Sequence, residues 1–300
     1  YAASSSEIRI VNSYGLDLHH KSNLAFSFIN ALAKDGDRVA TGGGFACSND
    51  FEALSVDKIV DDAVSEAVYM LTAEPVPSGT YRAIIENKCM PDLLAAFSNV
   101  FSAEAAQKGL SLLAGKEGEM IASEAVTLMD DPLLKNGLAS QPFDAEGVAT
   151  YTKALIENGK LTTLLHNLKT ARKAGVKTTG NAAKAGYAGD VQVAPSNLYL
   201  KPGEKTLAQM MEDMGDGLVI NDVSGLHAGA DAISGDFSLL AQGYTVKNGK
   251  KDQAVERITV AGNFYQLLKN IRVVGSDLIF PGSSVGSPSV DVGEISVAGK

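Results

Sequence analysis

The sequence predicts an α+β fold, in which an N-terminal sheet-plus-helix region precedes a larger, β-rich C-terminal domain with few helices. Two Asn-Gly hairpins, at residues 154–161 and 243–250, place paired strands in the last half of the chain. Asn-Gly suits a type I′ turn because both central residues need positive φ. Thirty glycines, many of them after residue 175, favour tight turns between strands over a helix bundle.

The N-terminal elements are predicted to be a strand meander followed by a helix. Short β-rich runs alternate with turn signals at residues 12–15 and 35–37. From Leu54 onward apolar residues recur at i, i+3 and i+4, and Ser55 is the expected N-cap of a helix of about five turns. The run Gly42-Gly43-Gly44 has no Lys-Ser or Lys-Thr behind it, so we expect a strand end or bulge, not a phosphate-binding loop.

A segment containing two prolines, residues 74–79, is the expected domain boundary, because proline removes backbone donors and prevents a helix from continuing. We therefore divide the chain into domains at 1–76 and 77–300. The second domain is expected to open with a strand at residues 81–86 and a helix whose first residue is Pro91. Further short helices are expected at 167–173, 206–214 and 265–271.

Charge and composition exclude several classes of protein. The net charge is -9 and no basic run exceeds two residues, which disfavours a nucleic-acid partner. No apolar stretch approaches the roughly 20 residues needed to cross a bilayer, so we expect no membrane partner. The first residues show no signal-peptide pattern, which predicts a cytoplasmic protein. Because the chain lacks an initiator Met, we expect it to be a piece of something longer.

The histidines and cysteines show no metal-binding spacing. His19 and His20 are adjacent on a predicted strand, where neighbouring side chains point to opposite faces. His166 and His227 lie far apart, and no helix carries two histidines at a zinc-peptidase spacing. The two cysteines are expected to be free, packed thiols, since they form no C-x-x-C pair. They are Cys47 and Cys89.

Carboxylate pairs occur at Asp61-Asp62 and Asp130-Asp131. We interpret both as solvated caps or turn formers, because paired catalytic acids must face each other across a cleft and adjacency in sequence does not provide this. An enzyme site built from Asp130, Asp144, Asp236 and a hydroxyl remains an open alternative.

Nine short strings, taken in order, carry a resemblance that no single residue does. They are FDAEGV (143–148), IENGKL (156–161), ARKAG (171–175), TGNA (179–182), SGDFS (234–238), ITVAGN (258–263), VGSDL (274–278), SPS (287–289) and VAG (297–299). Each string alone is weak, but the ordered series closely resembles the PmbA/TldD family over roughly residues 80 to 300. The segment before the boundary resembles the middle region of the same family, and the family's N-terminal region has no match here.

The resemblance implies a two-part α+β peptidase that acts on small unfolded peptides and forms dimers. In the TldD type, a helix carries an H-E-x-x-x-H motif that binds zinc, and a Cys near the C-terminus supplies a third ligand. Such a site activates a water, while the Glu moves protons.

The sequence departs from that pattern at the decisive helix. The motif's first His, its Glu and its last His fall near Ala95, Ala96 and Val100, none of which can bind zinc. The chain therefore resembles the PmbA or TldE type, which lacks the metal site and pairs with a TldD-type subunit. We expect a non-catalytic subunit, with no cofactor of its own and zinc only in the partner, that helps to form the substrate chamber.

Six residues are candidates for the chamber surface, because their family strings are polar and offer accessible backbone. They are Gly180, Asn181, Gly235, Asp236, Phe237 and Ser238. The opposing interpretation is that they are turn residues selected for their backbone conformation. The competing function is a homodimeric peptide-binding or scaffold protein without peptidase activity. The family is also called modulators of DNA gyrase, but an acidic chain without a basic stripe gives a DNA-related role no physical support.

Overall fold

The N-terminal region is an antiparallel meander, as predicted. The computed structural model describes residues 1–300 without a gap. Its first sheet has the order β1-β2-β3, with β1 at Ala2–Val11, β2 at Asp17–Asp35 and β3 at Arg38–Ser48. The two reversals contain Gly15 and Gly36 at φ 92 and 58, a region that glycine enters without steric cost.

One long helix, α1 (Val56–Met70), packs against β2 and β3. The Ser55 side chain accepts a hydrogen bond from the Lys58 backbone, which confirms the predicted N-cap. The helix has 15 residues, or about four turns and not five, because the chain leaves the helical path after Leu71. A single 3₁₀ turn at Phe51–Ala53 precedes it.

The three-glycine run lies inside β3, so the prediction of a strand end or bulge is wrong. A Cβ atom at Gly42 would overlap the carbonyl oxygen of Ala63, and one at Gly44 would overlap that of Ile59. The glycines therefore allow the backbone of α1 to lie directly on the sheet.

The C-terminal region combines strands of two to 14 residues with single-turn and two-turn helices. Its strands are β4 (Gly79–Ile85), β5 (Leu128–Asp130), β6 (Lys153–Glu157), β7 (Lys160–Leu161), β8 (Ala182–Ala183), β9 (Gln192–Val193), β10 (Leu198–Leu200), β11 (Gly217–Ser224), β12 (Asp236–Lys247), β13 (Lys250–Asn263), β14 (Val273–Val274), β15 (Val285–Gly286) and β16 (Val290–Ala298). Its helices are α2 (Met90–Phe97), α3 (Ala103–Gln107), α4 (Leu168–Ala174), α5 (Leu207–Met214), α6 (Leu226–Gly229) and α7 (Phe264–Asn270). A 3₁₀ turn at Ser98–Phe101 continues from α2.

These strands form two main sheets. The larger has the order β13-β12-β11-β4-β16-β14, and β13 also pairs with β16, so five of its strands close into a ring. Within it β4 and β11 run parallel, while the other pairs are antiparallel. The smaller sheet has the order β15-β10-β5-β6-β7, and β8 pairs only with β9.

Both Asn-Gly hairpins form as predicted. Asn158 and Gly159 join β6 to β7 with φ 48 and 82, and Asn248 and Gly249 join β12 to β13 with φ 50 and 74. Positive φ at both central residues is the signature of the type I′ turn.

The main core fills the space between the strand ring, the smaller sheet and α2. It contains 43 buried residues. Phe97 of α2 stacks on Phe264 with ring centroids 4.5 Å apart and also contacts Phe237. A second cluster on the outer face of the ring joins α5 to Tyr69 of α1, which connects the two regions of the chain.

The predicted fold class is confirmed, since strands hold 40% and helices 20% of the residues. The short helices predicted near 167–173, 206–214 and 265–271 correspond to α4, α5 and α7. None of the helices is both long and apolar enough to span a bilayer.

Candidate functional site

Helix α2 stands where the resemblance implies a zinc motif. Its apolar face is anchored in the main core by Leu93, Leu94 and Phe97, each at most 2% exposed. Val100 follows in the 3₁₀ turn and is 1% exposed, while Ala95 faces outward. Methyl groups offer no donor atoms to a metal ion, so Ala95, Ala96 and Val100 do not fit zinc.

The four histidines are dispersed over the fold. His19 pairs with Glu7 on one face of the first sheet, and His20 lies edge-on to Phe143 on the other, as adjacent strand positions require. His227 sits in the last turn of α6, and His166 is buried near α4. No group of three or more His, Cys, Asp or Glu side chains is arranged to hold a metal ion.

Asp130 is not a solvated turn former, and that prediction is wrong. It ends β5 directly opposite Lys153 of β6, and its side chain is fully buried. Its carboxylate lies 2.9 Å from the Lys153 Nζ and accepts hydrogen bonds from the Asn181 Nδ2 at 2.7 Å and the Ser196 amide at 2.6 Å. The next residue, Asp131, does stabilise a turn, because its carboxylate accepts a hydrogen bond from the Leu133 amide.

Gly180 and Asn181 lie in the interior beside this network. Gly180 has φ 69, and a Cβ atom there would lie 3.1 Å from the Ala149 carbonyl oxygen. Asn181 is 2% exposed, and its backbone amide donates to the His166 carbonyl. Burial lowers the pKa of His166 below its usual range, and its Nδ1 has no hydrogen-bond partner.

Asp144 is also buried but acts as a local cap. One carboxylate oxygen accepts from the amides of Glu146 and Val148, and the other accepts from the amide of Ala182. This is a turn-stabilising role of the kind predicted for the aspartates. Asp236 lies on the larger sheet, so Asp130, Asp144 and Asp236 do not converge on one cleft.

The segment 235–238 begins β12 with alternating exposure. Asp236 and Ser238 are exposed, whereas Gly235 and Phe237 are buried. Asp236 accepts a hydrogen bond of 2.8 Å from the Asn263 side chain, which links the start of β12 to the end of β13. Gly235 has φ 84, and a Cβ atom there would strike the ring of Tyr265.

A shallow cavity of about 150 Å³ adjoins this segment. Phe237 forms part of its wall, and Asn263, Gln266, Asn270 and Glu294 line it with polar side chains. The cavity therefore combines an apolar base with amide and carboxylate groups, a lining that suits polypeptide backbone.

A polar cluster that sequence reasoning missed lies where β4 ends. The Tyr244 hydroxyl donates a 2.8 Å hydrogen bond to Glu86, and the Lys251 Nζ lies 4.4 Å from the Tyr244 ring centroid and 3.9 Å from that of Tyr69. Burial raises the pKa of Glu86 and lowers that of Lys251. Burial also raises the pKa of Tyr69 to about 12. The available signal was the polar Glu86 directly after a buried apolar strand.

Two more carboxylates lie at the start of α2. Burial raises the pKa of Asp92, and burial together with the nearby Asp92 charge raises the pKa of Asp222 on β11. Cys89, immediately before the helix, is a buried free thiol, and Cys47 is also free, as predicted. Burial raises the pKa of the Cys89 thiol, which keeps it protonated and unreactive at neutral pH.

The chain matches family models over nearly all of its length. Residues 78–299 match the PmbA/TldA metallopeptidase C-terminal domain, and residues 1–71 match the central domain of the same family. Our division at residue 76 falls in the interval between the two matches. The fold and these two matches define an α+β protein of a metallopeptidase family. The chain belongs to the PmbA/TldD family.

Relatives from bacteria and archaea carry metalloprotease names. A metalloprotease of Methanothermobacter thermautotrophicus is 33% identical over 288 residues, covering 92% of this chain and 62% of that protein. The metalloprotease PmbA of Escherichia coli O157:H7 is 38% identical over 183 residues, covering 61% of this chain and 38% of that protein. The chain thus spans less than two thirds of the length of these relatives.

Two solved structures share the fold over 99% of this chain. A Thermotoga maritima protein, described as a proposed modulator of a DNA gyrase, is 41% identical with a TM-score of 0.93, and the match covers 67% of it. TldE from Thermococcus kodakarensis is 25% identical with a TM-score of 0.91, and the match covers 68% of it.

Proposed function

We propose that this chain belongs to a PmbA/TldE-type subunit of a zinc metallopeptidase that cleaves small unfolded peptides in peptide maturation and proteolysis. The subunit pairs with a TldD-type chain, which holds the zinc. The observation that carries the proposal is the chemistry of α2 and its 3₁₀ turn. Ala95, Ala96 and Val100 have no donor atoms, and Val100 is packed in the core. The likeness to TldE from Thermococcus kodakarensis supports the same assignment.

The subunit's own contribution is a wall of the substrate chamber. Strand edges bind an unfolded peptide through backbone hydrogen bonds, which give affinity without demanding a particular side-chain sequence. Of the six candidate residues, Asp236 and Ser238 have exposed side chains, and Phe237 forms part of the adjoining cavity. We assign contact with peptide to this segment, whereas Gly180 and Asn181 shape the wall from within.

An exposed apolar surface on the first sheet supports association with a partner. Strand alternation places Phe28, Leu32, Val39 and Phe45 on the face opposite α1, and their exposed fractions run from 48% to 68%. Exposed apolar side chains grouped on one face of a sheet mark protein interfaces. We term this set the β2/β3 apolar face.

The experiment that tests the pairing is sedimentation of the chain with and without a TldD-type chain. We expect a one-to-one complex, weakened by Leu32→Asp in the β2/β3 apolar face. Val56→Asp is the matched control, because Val56 is also an exposed apolar residue but lies at the start of α1. A stable homodimer that does not bind the TldD-type chain would instead favour a homodimeric peptide-binding or scaffold protein.

A further inference from the structure

Lys153, Asp130 and Asn181 form a closed triangle of polar contacts inside the smaller sheet. The Lys153 Nζ lies 2.9 Å from the Asp130 Oδ2 and 3.2 Å from the Asn181 Oδ1. The Asn181 Nδ2 donates to the same Asp130 oxygen at 2.7 Å. Exposure is 8% for Lys153, 0% for Asp130 and 2% for Asn181, so bulk water has almost no access.

The contacts fix the orientation of each group. Both hydrogens of the Asn181 amide are engaged, one by Asp130 and the other by the Ala194 carbonyl, which turns the amide oxygen toward the Lys153 amine. The second Asp130 oxygen is held by the Ser196 amide. The contact at Oδ1 holds the Lys153 amine beside the Asn181 amide, one bond away from the Cγ that it could attack.

We propose that Lys153 and Asn181 become joined by an isopeptide bond that the chain forms itself, with Asp130 carrying the protons. This inference is independent of the proposed peptidase role. A nucleophile, an electrophilic amide and a proton carrier are all present, buried and in mutual contact, so no further reagent is needed.

The reaction balances within these three side chains. The Lys153 ammonium gives one proton to the Asp130 carboxylate, and the neutral Nζ attacks the Asn181 Cγ. Asp130 then passes its proton to Nδ2 and takes the surplus proton from Nζ. The Cγ–Nδ2 bond breaks and ammonia leaves. An ammonium, a carboxylate and a primary amide thus become a secondary amide, a carboxylic acid and ammonia.

Burial favours the linked state over the ion pair. Two charges removed from water carry a desolvation cost that their attraction offsets only in part, whereas the linked product leaves a neutral amide and a neutral acid. Exclusion of water also protects the tetrahedral intermediate from hydrolysis. The link would close a loop of 28 residues between β6 and the segment before β8, which constrains the unfolded chain.

The test is the intact mass of the purified, denatured chain, followed by tryptic peptide mapping. We expect a mass lower than that of the sequence by one ammonia molecule, and a branched peptide in which Lys153 resists trypsin and carries the Asn181 segment. An intact mass equal to that of the sequence would overturn the proposal.

Variants identify the source of any lost ammonia. Lys153→Arg and Asp130→Asn should each have the full mass calculated from the variant's own sequence. This absence of ammonia loss should hold even for variant chains that remain folded. Asp131→Asn, the matched control on the adjacent turn, should keep the link. Succinimide formation at Asn158-Gly159 or Asn248-Gly249 also releases ammonia, but hydroxylamine cleaves that product and not an isopeptide bond. Ammonia loss that maps to those turns would overturn the proposal.

Discussion

At the scale of single residues, the Glu86–Tyr244 contact is a buried acid held by one good hydrogen bond. Burial disfavours the charged carboxylate, while the Tyr244 hydroxyl, Lys88 and Lys251 favour it, and burial dominates. The folded state therefore holds the Glu86 proton more tightly than the unfolded chain does. The contribution of Glu86 to the free energy of unfolding is therefore largest below the ordinary pKa of glutamate, and it is lost as pH rises through the pKa of Glu86 in the folded state.

Glu86→Gln should remove this pH dependence, because glutamine keeps an acceptor for the Tyr244 hydroxyl and does not titrate. The melting temperature of the variant, relative to that of the wild type, should rise between acidic and neutral pH. Tyr244→Phe should do the opposite and cost about 1–2 kcal/mol at neutral pH, since the carboxylate loses its donor. Melting curves over this range check both. Parallel curves for all three proteins would contradict the assignment.

Asp236 and Asp231 occupy the same turn but have different predicted roles. Asp236→Ala should reduce cleavage that depends on a TldD-type partner, while the free energy of unfolding falls by only about 1 kcal/mol, because the exposed residue loses a single hydrogen bond, from Asn263. Asp231 caps the Ile233 and Ser234 amides, so Asp231→Ala should lower the melting temperature instead. If Asp236→Ala loses stability but keeps cleavage, Asp236 is a turn residue and does not contact the peptide.

At the scale of elements, the packing of α1 on the first sheet depends on which positions of β3 are glycine. Alternate residues face the helix, so Gly42 and Gly44 lie beneath α1 while Gly43 faces away. The backbone of the helix therefore rests on the backbone of the strand at two points. Tyr69, near the end of α1, then contacts the second cluster of the C-terminal region.

Gly44→Ala should destabilise the fold by about 1–3 kcal/mol, because the new methyl group meets the carbonyl of Ile59 and pushes α1 off the sheet. Gly43→Ala is the matched control. Its Cβ atom would find only the Asn30 side-chain oxygen, at 3.8 Å, so its effect should stay within about 0.5 kcal/mol. Chemical denaturation measures both. Equal effects would show that the close approach of α1 does not limit stability.

Elements governed by local chemistry could be predicted from the sequence. The Asn-Gly turns and the Ser55 cap each depend on a few adjacent residues, and both have the predicted geometry. Contacts between distant residues could not be predicted. Glu86 and Tyr244 are 158 positions apart, and nothing near Asp130 in sequence indicates the strand partner that buries it. The single-turn helices α3 and α6 are too short to show a period.

At the scale of the whole molecule, two features agree with the proposed supporting subunit. The chain is acidic, and Ala95, Ala96 and Val100 have no side-chain atoms that could bind zinc. The net charge of -9 suits neither DNA nor an anionic surface. We propose the β2/β3 apolar face as the surface for a protein partner, and the segment 235–238 with its cavity as the surface for peptide. In this proposal the chain completes an active site held by another chain.

The most direct test measures metal content by mass spectrometry and peptide cleavage together, on the purified chain alone and after mixing with a TldD-type chain. We expect no stoichiometric zinc and no cleavage for the chain alone, and both zinc and cleavage in the mixture, with cleavage above that of the TldD-type chain by itself. Stoichiometric zinc and peptide cleavage in the chain alone would contradict the proposed function.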